Sequence, residues 1–147
     1  MFIDPKARLL ADGAEAERLT LSFSDPFGLC VRALRSAARG DVLDRFSGSI
    51  EAEVSQHSLQ VALGRHISET RFIGFLSHGC DPNCRLDMTG FELVALRSIA
   101  AGEILTIDYA ETEDVLYAQF ACGCGADACR RWIVGRTEQA AGDSAAA

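Results

Sequence analysis

The amino-acid sequence predicts a mainly β domain with only a few short helices. Its 147 residues, of which 48% are hydrophobic, are enough for one domain with its own core. Several short runs alternate apolar with polar residues, which is the period of a strand, and Gly, Pro and Asp separate these runs. The strand–helix alternation of a doubly wound nucleotide fold is missing from the pattern, as are a G-x-G-x-x-G fingerprint and a P-loop.

The first strand is predicted over Leu19 to Ser24, where LTLSFS alternates strictly. Asp25-Pro26 ends it, and the alternation resumes from Leu29. The turn between them contains Gly28, which either lets the backbone approach a ligand or serves the turn alone.

The later elements follow from the same two signals, alternation and turn residues. They are a helical turn within 12–19, a turn at 37–41, short strands within 42–54 around Phe46-Ser47-Gly48, a strand at 59–63, a short helix at 69–76, a strand at 91–99, a turn at 101–102 and a strand at 103–110. In the last strand Leu105, Ile107 and Tyr109 share one face. Residues 77–84 are polar, and Pro82 prevents regular ladder pairing there.

The net charge of −7 argues against a nucleic-acid-binding surface, which needs clustered Lys and Arg. It permits a cationic partner such as a basic peptide, while the total by itself favours the simpler explanation that the charge keeps the protein soluble. No apolar run reaches membrane-spanning length, so no membrane association is predicted. The first residues lack the cationic and apolar regions of a secretion signal. An intracellular, reducing location (the cytoplasm, or the nucleus in a eukaryote) is therefore expected, which keeps thiols available for a metal.

Three cysteines, Cys122, Cys124 and Cys129, form a C-x-C-x4-C cluster in FACGCGADACRRWIVGR. Clustered thiolates flanked by glycines favour a tetrahedral zinc ion. The fourth ligand is either water or a distant residue, with Cys80 the best candidate and Cys84 the second. The alternatives are a disulfide or cysteines packed as small apolar residues.

Three stretches, in this order, resemble the SET domain of protein-lysine methyltransferases. FLSHGCDPNC at 75–84 resembles R-F-x-N-H-S-C-x-P-N, and GEILTIDY at 102–109 resembles G-E-E-L-T-x-D-Y. CGCGADACR at 122–130 resembles the cysteine motif of the segment that follows the SET domain, called post-SET. PFGLCVRAL with the downstream GDVLDRFSG is a weaker fourth match, so the resemblance covers about residues 20–136.

The resemblance implies a β-clip fold of several small curved sheets, with the segment around His78 passing under the one ending in Tyr109 as a pseudoknot. It implies that S-adenosylmethionine binds on one face while a lysine side chain enters from the other. Cys80, Cys122, Cys124 and Cys129 would hold one structural zinc, leaving Cys84 a spare thiol. The expected division is an N-terminal extension at 1–18, a SET core at 19–110, a post-SET zinc segment at 111–136 and a disordered tail at 137–147.

By position, Tyr109 matches the catalytic tyrosine of the family. The residues implied to bind the cofactor are Phe27, Gly28, Leu29, Phe75, Leu76, Ser77, His78, Phe120 and Ile133. Ile107 matches a position whose size affects how many methyl groups fit. Tyr117 is a candidate for a second channel tyrosine.

The sequence departs from the family pattern near the cofactor. Ser77 stands in place of an asparagine, Gly79 in place of a serine and Gly74 in place of an arginine, while Phe46 replaces a tyrosine. These losses bear on cofactor affinity more than on the fold. The cysteine-rich region that precedes the SET domain in histone-specific members is also missing from this sequence.

The expected function is methyl transfer from S-adenosylmethionine to a lysine amine of a protein or peptide. Two alternatives stay open, a non-catalytic SET-like binding or assembly module and a methyltransferase of the same fold acting on a small molecule. A homodimer that completes the site is a further expectation.

Overall fold

The structure is a computed structural model that describes residues 17–141. Within them it has twelve short strands and two single 3-10 turns, Ile73–Phe75 and Tyr109–Glu111. The strands are β1 (Leu19–Ser24), β2 (Gly28–Ala33), β3 (Val42–Arg45), β4 (Ser49–Glu51), β5 (Leu59–Ala62), β6 (Arg65–Ser68), β7 (Ser77–His78), β8 (Cys84–Asp87), β9 (Glu92–Ala95), β10 (Thr106–Ile107), β11 (Phe120–Ala121) and β12 (Trp132–Ile133). The prediction of a mainly β fold of small sheets is confirmed.

The strands form five small sheets in the described residues. Three are two-stranded, β1–β2, β7–β10 and β11–β12, and two are three-stranded, in the orders β3-β9-β8 and β4-β6-β5. The β7–β10 pair is parallel, and the others are antiparallel. No helix in the described part of the chain is long and apolar enough to cross a membrane.

Several predicted elements are shorter than expected because neighbouring loops take over their hydrogen bonds. The strand predicted at 91–99 ends at Ala95, after which Leu96 donates its N–H to the Asn83 carbonyl. The strand predicted at 103–110 is reduced to β10, since residues 103–105 bond to β2. The helix predicted at 69–76 is wrong: Glu69 and Arg71 have positive φ angles, and only one 3-10 turn follows them.

Five strands of the described residues were missed by the sequence analysis, namely β6, β7, β8, β11 and β12. β7 lies in the segment 77–84, where no regular ladder was expected, and it pairs in parallel with β10 before Pro82 is reached. β6 pairs with β5 across a hairpin turn at Gly64, whose φ is +70°, and β8 follows directly on Pro82 and Asn83. Conversely, Phe46-Ser47-Gly48 is the connection between β3 and β4, not a strand. The helical turn predicted at 12–19 falls mostly outside the described residues, and Leu19 already belongs to β1.

One hydrophobic core joins the small sheets. Buried apolar side chains from β1, β2, β3, β5, β6 and β9 pack with those of the segments that precede β7 and β10, and with Ile107 of β10. The residues with almost no exposed surface include Val31, Ile73, Leu93, Ile99 and Leu105. This shared core fixes the places at which β7 and β10 meet.

Asn83 fastens the crossing of two chain segments beside β7 and β10. Its side chain accepts a hydrogen bond from the Thr106 N–H (2.8 Å) and donates to the Ile104 carbonyl (2.9 Å) and to Glu103 (3.1 Å). Because Asn83 is buried, each of these bonds satisfies a polar group that would otherwise be unpaired. The segment after β7 is thus held against the one that leads into Tyr109.

The C-terminal segment folds back onto the turn after β10. Arg136 donates from Nε to Asp114 (3.0 Å) and from its two Nη atoms to the carbonyls of Glu111 and Thr112. Residues 137–141, at the start of the predicted tail, also bond to residues 114–119. Residues 142–147, like residues 1–16, lie outside the described part of the chain.

Candidate functional site

Four cysteine sulfurs meet beside the crossing. The Sγ atoms of Cys80, Cys122, Cys124 and Cys129 all lie within 4.8 Å of one another, and those of Cys80 and Cys122 are 4.0 Å apart. Sulfurs on a tetrahedral zinc with Zn–S bonds of about 2.3 Å would be ~3.8 Å apart, so the group fits one such ion. Cys84 lies elsewhere, fully buried in β8, and does not belong to this group.

The backbone around the cysteines supports thiolate ligands. The Arg130 N–H points at the Cys80 sulfur at 3.3 Å, and Gly125 takes a φ of +81° within the tight loop between the cysteines. A backbone donor stabilises negative charge on sulfur, as ligands of a structural zinc require. The long-range pairing of Cys80 with the cluster is what the sequence spacing alone left open.

His78 connects the cysteine cluster to Tyr109. Its Nδ1 accepts the Tyr109 backbone N–H at 3.1 Å, so the ring proton resides on Nε2, which faces the Cys80 sulfur at 3.3 Å. Burial lowers the pKa of His78 to about 4, although the Asp108 carboxylate acts in the opposite direction. The imidazole is therefore neutral at physiological pH and spans the two sites by hydrogen bonds.

Tyr109 stands in a cluster of three rings. Its ring contacts those of His78 and Phe120 edge-on, with centroids 5.2 and 5.8 Å away, and its hydroxyl donates to the Leu76 carbonyl at 2.5 Å. Burial, with the negative charge of Glu113 second, raises the pKa of Tyr109 to about 12. The side chain is thus a fixed, protonated hydroxyl, suited to orienting groups rather than to removing protons.

Two cavities adjoin Tyr109. The first cavity, of about 300 Å³, is lined by Pro26, Phe27 and Leu29 from the β1–β2 hairpin, residues 74–78 and residues 120–123, together with Gln56, His57 and Tyr109. The second cavity, of about 240 Å³, is lined by residues 54–56, residues 112–113 and residues 116–118, together with Ser58, Gly74, Leu76, Tyr109 and Phe120. Tyr109, Leu76 and Phe120 belong to both walls and so stand between them.

Most of the residues that the sequence analysis assigned to cofactor binding line the first cavity. Those residues are Phe27, Leu29, Phe75, Leu76, Ser77, His78 and Phe120. Gly28, with a φ of +79°, lies in the hairpin turn beside it, and Ile133 is fully buried in β12 opposite Phe120. Ile107 is also buried and lines neither of these two cavities.

Ser77 offers an unused polar group at the first cavity. The side chain is 6% exposed, and its Oγ finds no hydrogen-bond partner among residues 17–141. Buried hydroxyls without partners are uncommon in proteins. A polar ligand in this cavity would supply the missing partner, which fits a cofactor carrying amino and carboxylate groups.

His57 was missed by the sequence analysis, and Gly74 was noted there only as a departure from the family pattern, although both line the first cavity. The His57 ring lies 4.4 Å from that of Phe75, centroid to centroid, and its Nδ1 is 3.1 Å from the Gly74 carbonyl oxygen. A β-carbon on residue 74 would collide with the His57 carbonyl oxygen. Because the contact joins residues far apart in sequence, no local pattern could have indicated it.

The cysteine-bearing segment is also joined to the Tyr109 turn by an ion pair. Arg130 binds both carboxylate oxygens of Asp108, at 2.7 and 3.1 Å, and Asp108 in turn accepts the Ala110 N–H. A planar guanidinium that binds two oxygens fixes orientation as well as distance. The segment that carries Phe120 is thus tied to the turn that carries Tyr109, whose ring Phe120 contacts.

The chain is similar in sequence to a known family and to two curated proteins. A family model described as SET domain matches residues 28–110. Histone-lysine N-methyltransferase 2B of Homo sapiens is 37% identical over 65 residues, which are 40% of this chain and 2% of that protein. Histone-lysine N-methyltransferase 2D of Homo sapiens is 32% identical over 65 residues, covering 40% of this chain and 1% of that protein.

Solved structures show the same similarity. A crystal structure of KRYPTONITE in complex with mCHG DNA and SAH matches with a TM-score of 0.63 and 26% identity, over 78% of this chain and 28% of that chain. A second, with mCHH DNA, H3(1-15) peptide and SAH, gives a TM-score of 0.60 and 26% identity over 78% and 29%. The chain therefore spans only a small part of the length of the relatives that it resembles.

Proposed function

Because the chain belongs to the SET-domain family, we propose that it transfers a methyl group from S-adenosylmethionine to the side-chain amine of a lysine in a protein or peptide. The observation that carries this proposal is the position of Tyr109 on the shared wall of two cavities. Transfer between two substrates held on opposite sides of one group needs this arrangement.

The first cavity is the proposed cofactor site. S-adenosylmethionine supplies an activated methyl group on a sulfonium sulfur. Phe27, Leu29 and Phe120 offer apolar surface for the base and sugar, and Ser77 offers its unpaired hydroxyl. Gly28 contributes the turn of the β1–β2 hairpin beside this site, and Ile133 pairs with Phe120 in the β11–β12 sheet.

The second cavity is the proposed entrance for the lysine. Tyr109 is the proposed catalytic residue: with its pKa raised to about 12 by burial and by the Glu113 charge, it stays protonated and orients the amine. Leu76 and Phe120, shared by both walls, exclude water between the two cavities. Positioning and desolvation therefore carry most of the rate enhancement.

One structural zinc, held by Cys80, Cys122, Cys124 and Cys129, is proposed to fix the C-terminal segment. All four positions are taken by sulfur, so no open coordination site remains for chemistry. The zinc would keep Phe120 over the first cavity. In this scheme the SET core comprises residues 19–110 and the zinc segment residues 111–136. An N-terminal extension, 1–18, and a C-terminal tail, 137–147, flank them.

The proposed partner is a lysine-bearing peptide. One KRYPTONITE structure holds an H3(1-15) peptide, and the net charge of −7 suits a basic peptide here. Both KRYPTONITE structures also contain DNA, whereas this acidic chain is proposed to bind its substrate without nucleic acid. An intracellular location and a homodimer remain predictions.

The test is methyl transfer from tritiated S-adenosylmethionine to a library of lysine-containing peptides, using zinc-loaded protein. Tyr109→Phe should lower kcat by about a hundredfold or more while cofactor binding, measured by calorimetry, persists. Tyr117→Phe, which changes only the second cavity, should leave cofactor affinity unchanged. Equal kcat for Tyr109→Phe and wild type would refute the assigned role.

The non-catalytic alternative is favoured by the departures at Ser77, Gly74 and Gly79, of which Ser77 and Gly74 line the first cavity. A serine hydroxyl has a shorter reach and fewer donors than the asparagine usual in the family. If no peptide or extract accepts a methyl group and calorimetry detects no cofactor binding, the binding-module function replaces the enzymatic one. A methylated small molecule as the only product, identified by mass spectrometry, would favour the third function.

A further inference from the structure

Glu113 is a buried carboxylate without a cation of its own. The residue is 6% exposed, and none of the ion pairs among residues 17–141 includes it. Two basic side chains, His66 and Arg136, lie within electrostatic reach of Glu113, but neither forms an ion pair with it. Arg136 is engaged by Asp114 and by the carbonyls of Glu111 and Thr112. A buried carboxylate is stabilised by hydrogen bonds and most strongly by a directly paired cation, and a cationic ligand would supply the ion pair that Glu113 lacks.

The hydrogen bonds of Glu113 leave one of its oxygens unused. Oε2 accepts the Gln60 N–H at 2.7 Å and the Thr112 hydroxyl at 2.9 Å. Oε1 accepts no hydrogen bond within the described residues, and it does not belong to their fully buried unpaired atoms, so solvent reaches it. The carboxylate is thus held in place through one oxygen, and the other is free to accept a bond from a ligand.

The position of Glu113 relates this free oxygen to the proposed reaction. Glu113 lines the second cavity with Thr112 and Tyr109, and its N–H donates to the Tyr109 carbonyl at 3.0 Å. Its charge also contributes to the raised pKa of Tyr109, which places the two side chains within electrostatic reach. Val54, Leu76 and Leu116 supply apolar surface in the same cavity.

We propose that Glu113 is the residue that selects a cationic side chain in the second cavity, by pairing with the ammonium group of the incoming lysine. Apolar walls suit the four methylenes of a lysine, and a fixed carboxylate suits its charged end. This specificity role rests on the proposed function of the cavity as the lysine entrance. Glu113 acts on binding, before transfer begins.

The test uses n-butylammonium chloride as a probe for the end of a lysine side chain. Zinc-loaded, ¹⁵N-labelled full chain is titrated near neutral pH, and amide shifts of Thr112, Leu116 and Tyr117 report on the second cavity. Glu113→Gln keeps an acceptor for the Gln60 N–H but removes the charge, and it should weaken binding about tenfold or more. 1-Butanol, a neutral probe of similar size, should bind no better to wild type than to Glu113→Gln.

The matched control is Glu111→Gln, which makes the same change of charge at an exposed position outside the cavity, and it should bind the probe like wild type. Equal binding by Glu113→Gln and wild type, or no shifts at the second cavity in wild type, would overturn the proposal.

Methyl-transfer assays on the same proteins distinguish the proposed reaction from the proposed role of Glu113. Binding of the probe through Glu113 without any methyl transfer would contradict only the proposed reaction. Methyl transfer with an unchanged KM for the peptide in Glu113→Gln would contradict only the role of Glu113.

Discussion

Gly74 shows how a contact across the fold decides a residue type. Its peptide lies against the carbonyl of His57, and the Thr70 hydroxyl accepts the Gly74 N–H at 2.9 Å. No side chain fits there, which explains why the arginine usual in the family is missing from this chain. The space next to Gly74 is taken by the backbone carbonyl and the β-carbon of His57, whose ring packs on Phe75.

Gly74→Ala should therefore destabilise the protein. The added β-carbon forces the His57 loop away, at a cost of about 1–3 kcal/mol in the free energy of unfolding, and widens the first cavity. Urea denaturation measures the first effect and calorimetry with S-adenosylmethionine the second. Gly90→Ala is the matched control, because a β-carbon there has only ordinary contacts, 3.5 Å or more away, and its stability should stay within about 0.5 kcal/mol of wild type.

The segment from β11 to β12 illustrates how a short element is stabilised from outside. Its two strands pair over only two residues each, too few to be stable alone. The Arg130–Asp108 ion pair, the cysteine cluster and the contacts of Arg136 tie it to the rest of the fold. Its place over the first cavity thus depends on these ties.

Removing zinc should release this segment and abolish cofactor binding. We expect one zinc per chain by atomic emission, and loss of calorimetric S-adenosylmethionine binding on chelation, because Phe120 leaves the cavity wall. Cys129→Ser should give the same loss. Cys84→Ala, which removes a buried thiol outside the cluster, should retain the metal. Full cofactor affinity in metal-free protein would contradict this account.

Across the whole molecule, the buried Glu113 links stability to pH. Burial raises the pKa of its carboxyl group, against the hydrogen bonds from Gln60 and Thr112 that lower it. The folded state therefore holds this proton to higher pH than the unfolded state, whose glutamates have a pKa of about 4.3. As pH rises through that window the unfolded state releases its proton first, so ionisation of Glu113 lowers the free energy of unfolding.

Glu113→Gln removes the ionisable carboxyl group, and with it the decrease in the free energy of unfolding that accompanies its ionisation. We expect the difference in Tm between Glu113→Gln and wild type to grow in favour of the variant as pH rises from about 4 towards neutrality. Thermal unfolding of both proteins over this range measures it, and taking the difference cancels the pH dependence of the cysteine cluster. A constant difference would show that the carboxyl group is not desolvated in the folded state.

Local patterns predicted part of this architecture because strand periods and turn residues are local. The first two strands and the turn between them follow from LTLSFS and Asp25-Pro26, and they agree with the structure. The strands at 91–99 and 103–110 were overestimated, since the chain leaves each ladder to bond with β2 or with Asn83. The short β8 gave no signal, because its pairing depends on β9 rather than on its own alternation.

The sequence by itself determined the family and the cysteine chemistry, because three motifs in a fixed order carry both. Residue types and spacing are sufficient to indicate a zinc site. Only the tertiary structure decided that His57 meets Gly74 and that Tyr109 has cavity walls on two sides. It also brings Cys80 to the distant cluster, which the resemblance implied but the spacing of the cysteines left open. The tertiary structure also decided the environment of Glu113. Its burial, and the absence of an ion-pair partner for it in residues 17–141, arise from packing between segments that are remote in sequence.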